Sequence, residues 1–307
     1  MAALLILILN CIGPPIKFLF VLRLVSNLRR SAAGKLVSHL SPSFDEGFTS
    51  RLLATPMVPL SPGLVDLPKV SVVIPTLNEA LNLPHVLPHI PAWVHEVIIV
   101  DGRSSDDTVA VARKLRSDVR IVLEPRKGKG VALRAGFAAA KGDIIAMLDA
   151  DGSMDPKEII LFVAALVAGA DFAKGSRFIQ GGGTSDMTIF RKSGNWCLTK
   201  AVRILHGQTF SDLCYGYVAF WTRHGSAMKL SCDGFEIETL LSIRAIKNKL
   251  RIFEVPSFES DRIHGSSNLR AIPDGWRVLK TILRERFVKT ASASTAPVPT
   301  ASAAPSA

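Results

Sequence analysis

Two aspartates separated by a single residue, Asp149 and Asp151, close the apolar run of IIAMLDADGSMDP, residues 144–156. Carboxylates paired where a buried strand ends repel each other and lose hydration, and a cation offsets both costs. A hard divalent ion with oxygen ligands suits such a pair, because it keeps open positions for the oxygens of a substrate diphosphate. An EF-hand calcium loop does not fit. Gly152 stands two places early for it, and Ile160 takes the place of the bidentate glutamate. GKGVAL, residues 128–133, opens like a dinucleotide fingerprint but carries Leu133 at the third glycine position. No Walker A sequence is present. A pair of solvated loop aspartates is the plain alternative.

These carboxylates need strands to hold them. KVSVVIPTLNE, starting at Lys69, is a β-branched run closed by a proline turn and predicts a buried strand leading into a helix. HEVIIVDGRSSDDTVAVARKL repeats the form, with apolar helix positions at Val109, Ala112 and Leu115. VRIVLEP predicts a third strand, GKGVALRAGFAAAKG a helix, and DIIAMLDADG a fourth strand. Continuous apolar strands alternating with helices predict an α/β fold, a mostly parallel sheet flanked by helices on both faces. Ligands of such sheets bind beyond the carboxyl ends of the strands, where Asn78, Asp101, Asp149 and Asp151 all fall. Lys127 and Lys129 would add charge over phosphates there, unless they form a solvated basic turn. QGGGTSD, residues 180–186, reads as a mobile lid, since no helix begins directly on its glycines.

The chain has 307 residues, 48% of them hydrophobic, which suits one large core with extensions. Its net charge of +11 is divided as +4 in residues 1–70, +2 in 71–261 and +5 in 262–307. Basic flanks around a nearly neutral middle suit a membrane surface approached by the chain ends, and no zinc-finger spacing or RNA-binding signature points to nucleic acid. Residues 1–30 read as a hydrophobic membrane-associating segment broken by Asn10, Gly13, Pro14, Pro15 and Lys17, or as an amphipathic segment packed on the protein. Residues 31–68 read as a linker and 290–307 as a disordered tail, leaving 69–289 as the organised domain. The scattered Cys11, Cys197, Cys214 and Cys232 form no CxxC pair and suit a reducing compartment, so the expected place is the cytoplasmic face of a membrane. Near the end, Ile272, Trp276, Leu279, Leu283 and Phe287 form one apolar helical stripe among arginines and lysines. It would lie on anionic lipid or pack on the core.

Seven segments in order resemble the family 2 glycosyltransferases of GT-A (Rossmann-like) fold, and within them the dolichyl- or polyprenyl-phosphate sugar synthases. They are VVIPTLNEALNLP, VIIVDGRSSDDT, GKGVALRAGFAAAKGD, LDADG, DFAKGSRF, SDLCYGYVAF and ESDRIHGSSNL, so the resemblance spans residues 69 to about 288.

The resemblance implies a metal-dependent, inverting transfer of a sugar from a nucleotide-sugar donor, GDP-mannose or UDP-glucose, to a polyprenyl-phosphate acceptor. By it, Pro75, Asn78 and Glu79 shape the nucleotide pocket, Asp101 contacts base or ribose, and Asp149 and Asp151 hold Mg²⁺ or Mn²⁺ on the diphosphate. Arg177 serves the acceptor phosphate and Arg191, followed by Lys192, matches the second cationic position. Asp212 matches a recurrent aspartate of the family. A phosphate acceptor is already anionic and needs no general base; a hydroxyl acceptor on a glycolipid or small metabolite would need one, with Asp212 or Glu238 as the candidates. Glu236 and Glu238 open an apolar helix, where negative charge is favoured in any case. The element RIHGSSNL keeps Arg262 and Ser267 of the family's R-x-x-G-x-S-K-L but places Asn268 where the lysine stands, with His264 as a loop spacer. A nucleotidyltransferase, the neighbouring chemistry, would carry a glycine-arginine loop after its first strand, and IPTLNEA has none. A non-catalytic nucleotide-sugar binder is the other alternative.

Overall fold

The computed structural model describes residues 67–208 and 210–288. The expected hydrophobic segment 1–30, the linker up to residue 66 and the tail 290–307 lie outside the described residues. The continuous apolar runs form strands β1 (Val70–Thr76), β2 (Glu96–Asp101), β3 (Arg120–Leu123) and β4 (Ile144–Met147), paired in parallel in the order β3-β2-β1-β4. The seven-stranded sheet continues through β7 (Val218–Trp221), β5 (Phe172–Ser176) and β8 (Ile252–Pro256). β7 runs antiparallel to both β4 and β5, so the sheet is mostly, not wholly, parallel.

Alternate residues of these strands enter two cores. Val72, Ile74, Val97, Ile99 and Ala146 face one side with helix α3 (Ile159–Val167) and Ala112 of helix α1 (Thr108–Leu115). Val73, Ile98, Val100, Ile145 and Met147 face the other with helices α2 (Lys129–Ala139) and α5 (Ile237–Lys247). Both faces are covered, which is why the strands read as unbroken apolar runs. A third, smaller cluster joins α4 (Ile189–His206) to α5 and α6 (Ala271–Phe287) through Val202, Ile243, Val278 and Ile282.

One expectation changes and two become specific. The helix predicted after β1 is replaced by two 3-10 turns, Leu83–His85 and Leu87–His89, because Pro84 and Pro88 each remove a backbone donor. Part of the glycine run pairs with the body of the protein: Gly183–Thr184 forms β6, paired with β9 (Phe258–Glu259). A Cβ on Gly182 would lie 2.4 Å from the Ser176 carbonyl oxygen, so its hydrogen permits that close approach. Finally, α6 packs inward through Asp274, Val278, Thr281, Ile282 and Glu285. The apolar stripe of Ile272, Trp276, Leu283 and Phe287 points away, each residue between 46% and 85% exposed.

Glu158, just before α3, ties that helix to the β8–β9 corner by accepting hydrogen bonds from Ser257 Oγ and, at 3.1 Å, the Phe258 amide. Burial pushes its carboxyl up to about 7, against those hydrogen bonds, and Asp155 adds repulsion. Between the ordinary glutamate value near 4.5 and about 7, the folded state binds the extra proton, so stability falls as pH rises through that window and is level above it. Removing this ionisation in Glu158→Gln should therefore flatten the pH dependence. The stability difference between variant and parent should shift in the variant's favour by at most about 3 kcal/mol from pH 4.5 to 8, read by denaturant unfolding.

Candidate active site

Because β1 and β2 pair with Thr76 opposite Asp101, the loops following them begin level at the carboxyl edge. Asn78 adopts a left-handed backbone (φ 58°), and its side-chain oxygen accepts from the Ser105 amide at 2.7 Å, while its own amide donates to Ser104 Oγ. Asp106 accepts from the Ala80 amide and from Thr108, which locks the same two loops together. Asp101, at the end of β2, accepts through Oδ2 from the amides of Arg103 and Ser104. Its Oδ1 is buried and has no partner among the described residues. A buried carboxylate oxygen left unpaired is costly, and a donor group from a ligand would satisfy it.

Asp149 and Asp151 follow β4 at the same edge. Lys129, the first residue of α2, places Nζ 2.7 Å from an Asp149 oxygen and 2.6 Å from Glu238 Oε1, in the first turn of α5. Gly128 before it has φ 127°, and a Cβ there would lie 2.1 Å from the Asp233 carbonyl oxygen, so glycine lets the α5 approach pack on this turn. Lys127 is exposed beside it. Burial pushes the Asp149 carboxyl up to about 6, opposed by Lys129 and reinforced by Glu238 and Asp151. The Lys129 ammonium is held protonated by the two carboxylates despite its burial.

Asp151 Oδ1 accepts from the Ser153 amide at 3.0 Å and hydroxyl at 2.7 Å, and Oδ2 faces Arg262 Nη1 at 3.4 Å. Arg262 Nη2 grips Glu79 at 2.6 and 2.7 Å. The segment carrying Arg262 crosses the site: the Ile263 amide donates to the Asp151 carbonyl and the His264 amide to Asn82 Oδ1.

Four carboxylates, Asp149, Asp151, Glu238 and Glu79, thus share two cations, Lys129 and Arg262. The surplus of negative charge matches one divalent ion. No group of three or more His, Cys, Asp or Glu side chains among the described residues is arranged to hold a metal. Of the residues here the aspartate pair could contribute oxygens to a divalent ion such as Mg²⁺ or Mn²⁺, whose shell phosphate and water oxygens would have to complete.

Arg177 lies one residue past β5, buried. It donates from Nε (2.6 Å) and Nη2 (2.9 Å) to Asp212 and from Nη1 (2.8 Å) to Glu259. Asp212 is 0% exposed and also accepts from Asn195 Nδ2 at 3.0 Å. Glu259 pairs with Met154 across a bridge, and the adjoining Ser260 amide donates to the Ser153 carbonyl, which links this network to the Asp151 turn. Arg191, in the first turn of α4, is half-buried and pairs with Asp186 at 2.8 Å.

The structure brings together Pro75, Asn78, Glu79, Asp101, Lys129, Asp149 and Asp151 along the strand ends and nearby turns. It sets Arg177 and Asp212 in a linked buried pair and Arg191 on the adjoining helix. Two residues gain importance over the sequence reading. In the sequence Glu238 reads as a helix-opening acid or a candidate base, and Arg262 as a surviving fragment of a motif; only the fold shows both meeting the strand-end groups.

The glycosyl transferase family 2 model matches residues 71–227. An uncharacterised glycosyltransferase of Mycobacterium tuberculosis is 47% identical over 222 residues, covering 68% of this chain and 97% of that protein. A polyprenol monophosphomannose synthase of Mycolicibacterium smegmatis is 32% identical over 212 residues, covering 64% of this chain and 80% of its own. Among solved structures, glucosyl-3-phosphoglycerate synthase from Mycobacterium tuberculosis, in complex with Mn²⁺, UDP and phosphoglyceric acid, superposes with a TM-score of 0.57. The identity is 21%, with 72% of this chain and 79% of that chain covered, so the likeness is one of GT-A fold.

Proposed function

The chain belongs to glycosyl transferase family 2, and on that premise we propose that it moves a sugar from GDP-mannose or UDP-glucose to a polyprenyl phosphate, with inversion at the sugar. The unpartnered Asp101 Oδ1 would accept from the base or ribose of the donor, within the pocket shaped by Pro75, Asn78 and Glu79. Asp149 and Asp151 would hold Mg²⁺ or Mn²⁺. Such an ion supplies charge stabilisation for the departing diphosphate. Lys129, fixed between Asp149 and Glu238, adds a positive charge at the same place.

One observation carries the acceptor half. Every oxygen of Asp212 is taken by Arg177 and Asn195, so one of the two candidate bases for a hydroxyl acceptor has no free atom to receive a proton, and the other, Glu238, has its Oε1 engaged by Lys129. An acceptor that arrives as an anion needs none. Arg177 then acts by positioning the acceptor side through Asp212 and Glu259, and Arg191 offers charge at the start of α4. The similarity to a polyprenol monophosphomannose synthase supports the same choice.

A membrane surface is part of this reading. Among the described residues no helix is long and apolar enough to cross a bilayer. The outward stripe of α6, with Arg277, Lys280, Arg284 and Arg286 exposed around it, suits peripheral contact with anionic lipid on the cytoplasmic face.

The test is transfer of labelled sugar from a panel of sugar nucleotides to polyprenyl phosphate by the purified full chain, with and without EDTA. Label entering the organic phase only with metal present is the expected result. A water-soluble product, or donor binding without turnover, would overturn the assignment.

A further inference from the structure

On one face of α4, Lys192, Trp196, Thr199, Lys200 and Arg203 recur at helical spacing and wall a cleft of about 350 Å³, closed opposite by Phe178 and Phe210. The wall is largely apolar, yet three cations stand on it. None of Lys192, Lys200 and Arg203 pairs with a carboxylate among the described residues. Two of the ammonium groups rest on rings instead: Lys192 Nζ lies 5.7 Å from the Phe178 centroid and Lys200 Nζ 5.6 Å from that of Trp196. In the same wall the Thr199 hydroxyl is buried without a hydrogen-bond partner among the described residues, in a residue only 8% exposed. An orphaned donor, unpaired cations and aromatic rings in one cleft are the complement of an anion attached to an apolar chain.

We propose that this cleft binds a phosphate ester carried on an apolar chain. Lys192, Lys200 and Arg203 hold the phosphate with the Thr199 hydroxyl donating to it, and Trp196, Phe178 and Phe210 take the first part of the chain. The cleft borders the acceptor side of the site. Asn195 beside Trp196 donates to Asp212, which grips Arg177, and Ser211 Oγ meets Ser176 Oγ at the end of β5. As a specificity site for the acceptor the inference rests on the polyprenyl-phosphate reading; as a binding site it does not. Two sources share this chemistry, a single isoprenyl phosphate and the headgroup of a bilayer phospholipid.

The experiment titrates the full chain with farnesyl phosphate below its micelle concentration, with farnesol, with inorganic phosphate and with phosphatidylglycerol vesicles. The variants are Lys200→Gln/Arg203→Gln, both at exposed positions, and Thr199→Val. Farnesyl phosphate should bind the parent at least about 10-fold more tightly than farnesol or phosphate do, and the double variant should lose at least about 10-fold of that affinity. Sugar-nucleotide affinity should not move. Competition between farnesyl phosphate and vesicles, with both weakened by the double variant, assigns the cleft to the acceptor; weakened vesicle binding alone assigns it to the bilayer headgroup. If neither ligand responds to the substitutions, the proposal fails. Sugar transfer to farnesyl phosphate that is indifferent to the variants sinks the cleft and spares the acceptor reading. Binding through these cations without any sugar transfer does the reverse.

Discussion

Asp151→Asn should lower the rate of sugar transfer by about 10²–10³ while leaving the fold intact, the size expected when one group stabilising a developing anion is removed. The stability half of this expectation follows from the hydrogen bonds. Asp151 Oδ1 accepts from the Ser153 amide and hydroxyl, and an asparagine oxygen can still accept both, though more weakly than a carboxylate. Oδ2 makes only a 3.4 Å approach to Arg262, whose main grip is on Glu79, so the loss there is about 1 kcal/mol or less. The activity half follows from charge. With one carboxylate left of the aspartate pair, three carboxylates face Lys129 and Arg262, and the surplus that calls for a divalent ion falls from two charges to one. Steady-state transfer assays beside urea unfolding of the same preparations check both halves. A stable variant with parental turnover would contradict the expectation.

Asp212→Ala should behave in the opposite way, as a folding mutant first. Arg177 is 3% exposed at its side chain and its principal partner is Asp212, so the substitution strands a guanidinium in the interior with only Glu259 to answer it. Breaking a buried pair from one side costs about 3–5 kcal/mol, a large share of the stability of a domain this size. Asn195 Nδ2 loses its acceptor at the same time. The denaturation midpoint should fall accordingly, before any effect on chemistry is visible. A solvent-accessible base in this position would give the contrary pattern, lost turnover with unchanged stability.

Much of the sheet is legible in the sequence because strands buried on both faces are apolar at most positions. VSVVIPT and EVIIVD could be nothing else. Aspartates that end such runs are equally legible, since nothing but an edge position tolerates them. What escapes is contact made at long range. β7 enters the sheet antiparallel between β4 and β5, and VAFW carries no mark of its direction. Glu238 reaches Lys129 across 109 residues and Arg262 reaches Glu79 across 183, distances over which spacing says nothing. The buried face of α6 was hidden for another reason: it carries Asp274, Thr281 and Glu285, polar residues paid for by partners such as Arg244, while the residues that look like a core stripe face outward. Local periodicity identifies an amphipathic helix; which side meets the protein depends on who pairs with the charges.

The proposed transfer turns on the carboxylates after β4 gathering a divalent ion and a nucleoside diphosphate together. Calorimetric titration of Mn²⁺ and sugar nucleotide, separately and in combination, into the parent and into Asp149→Asn/Asp151→Asn tests this most directly. Metal should tighten nucleotide uptake by at least about 10-fold in the parent and not in the double variant. Equal metal-assisted uptake by both proteins would contradict it.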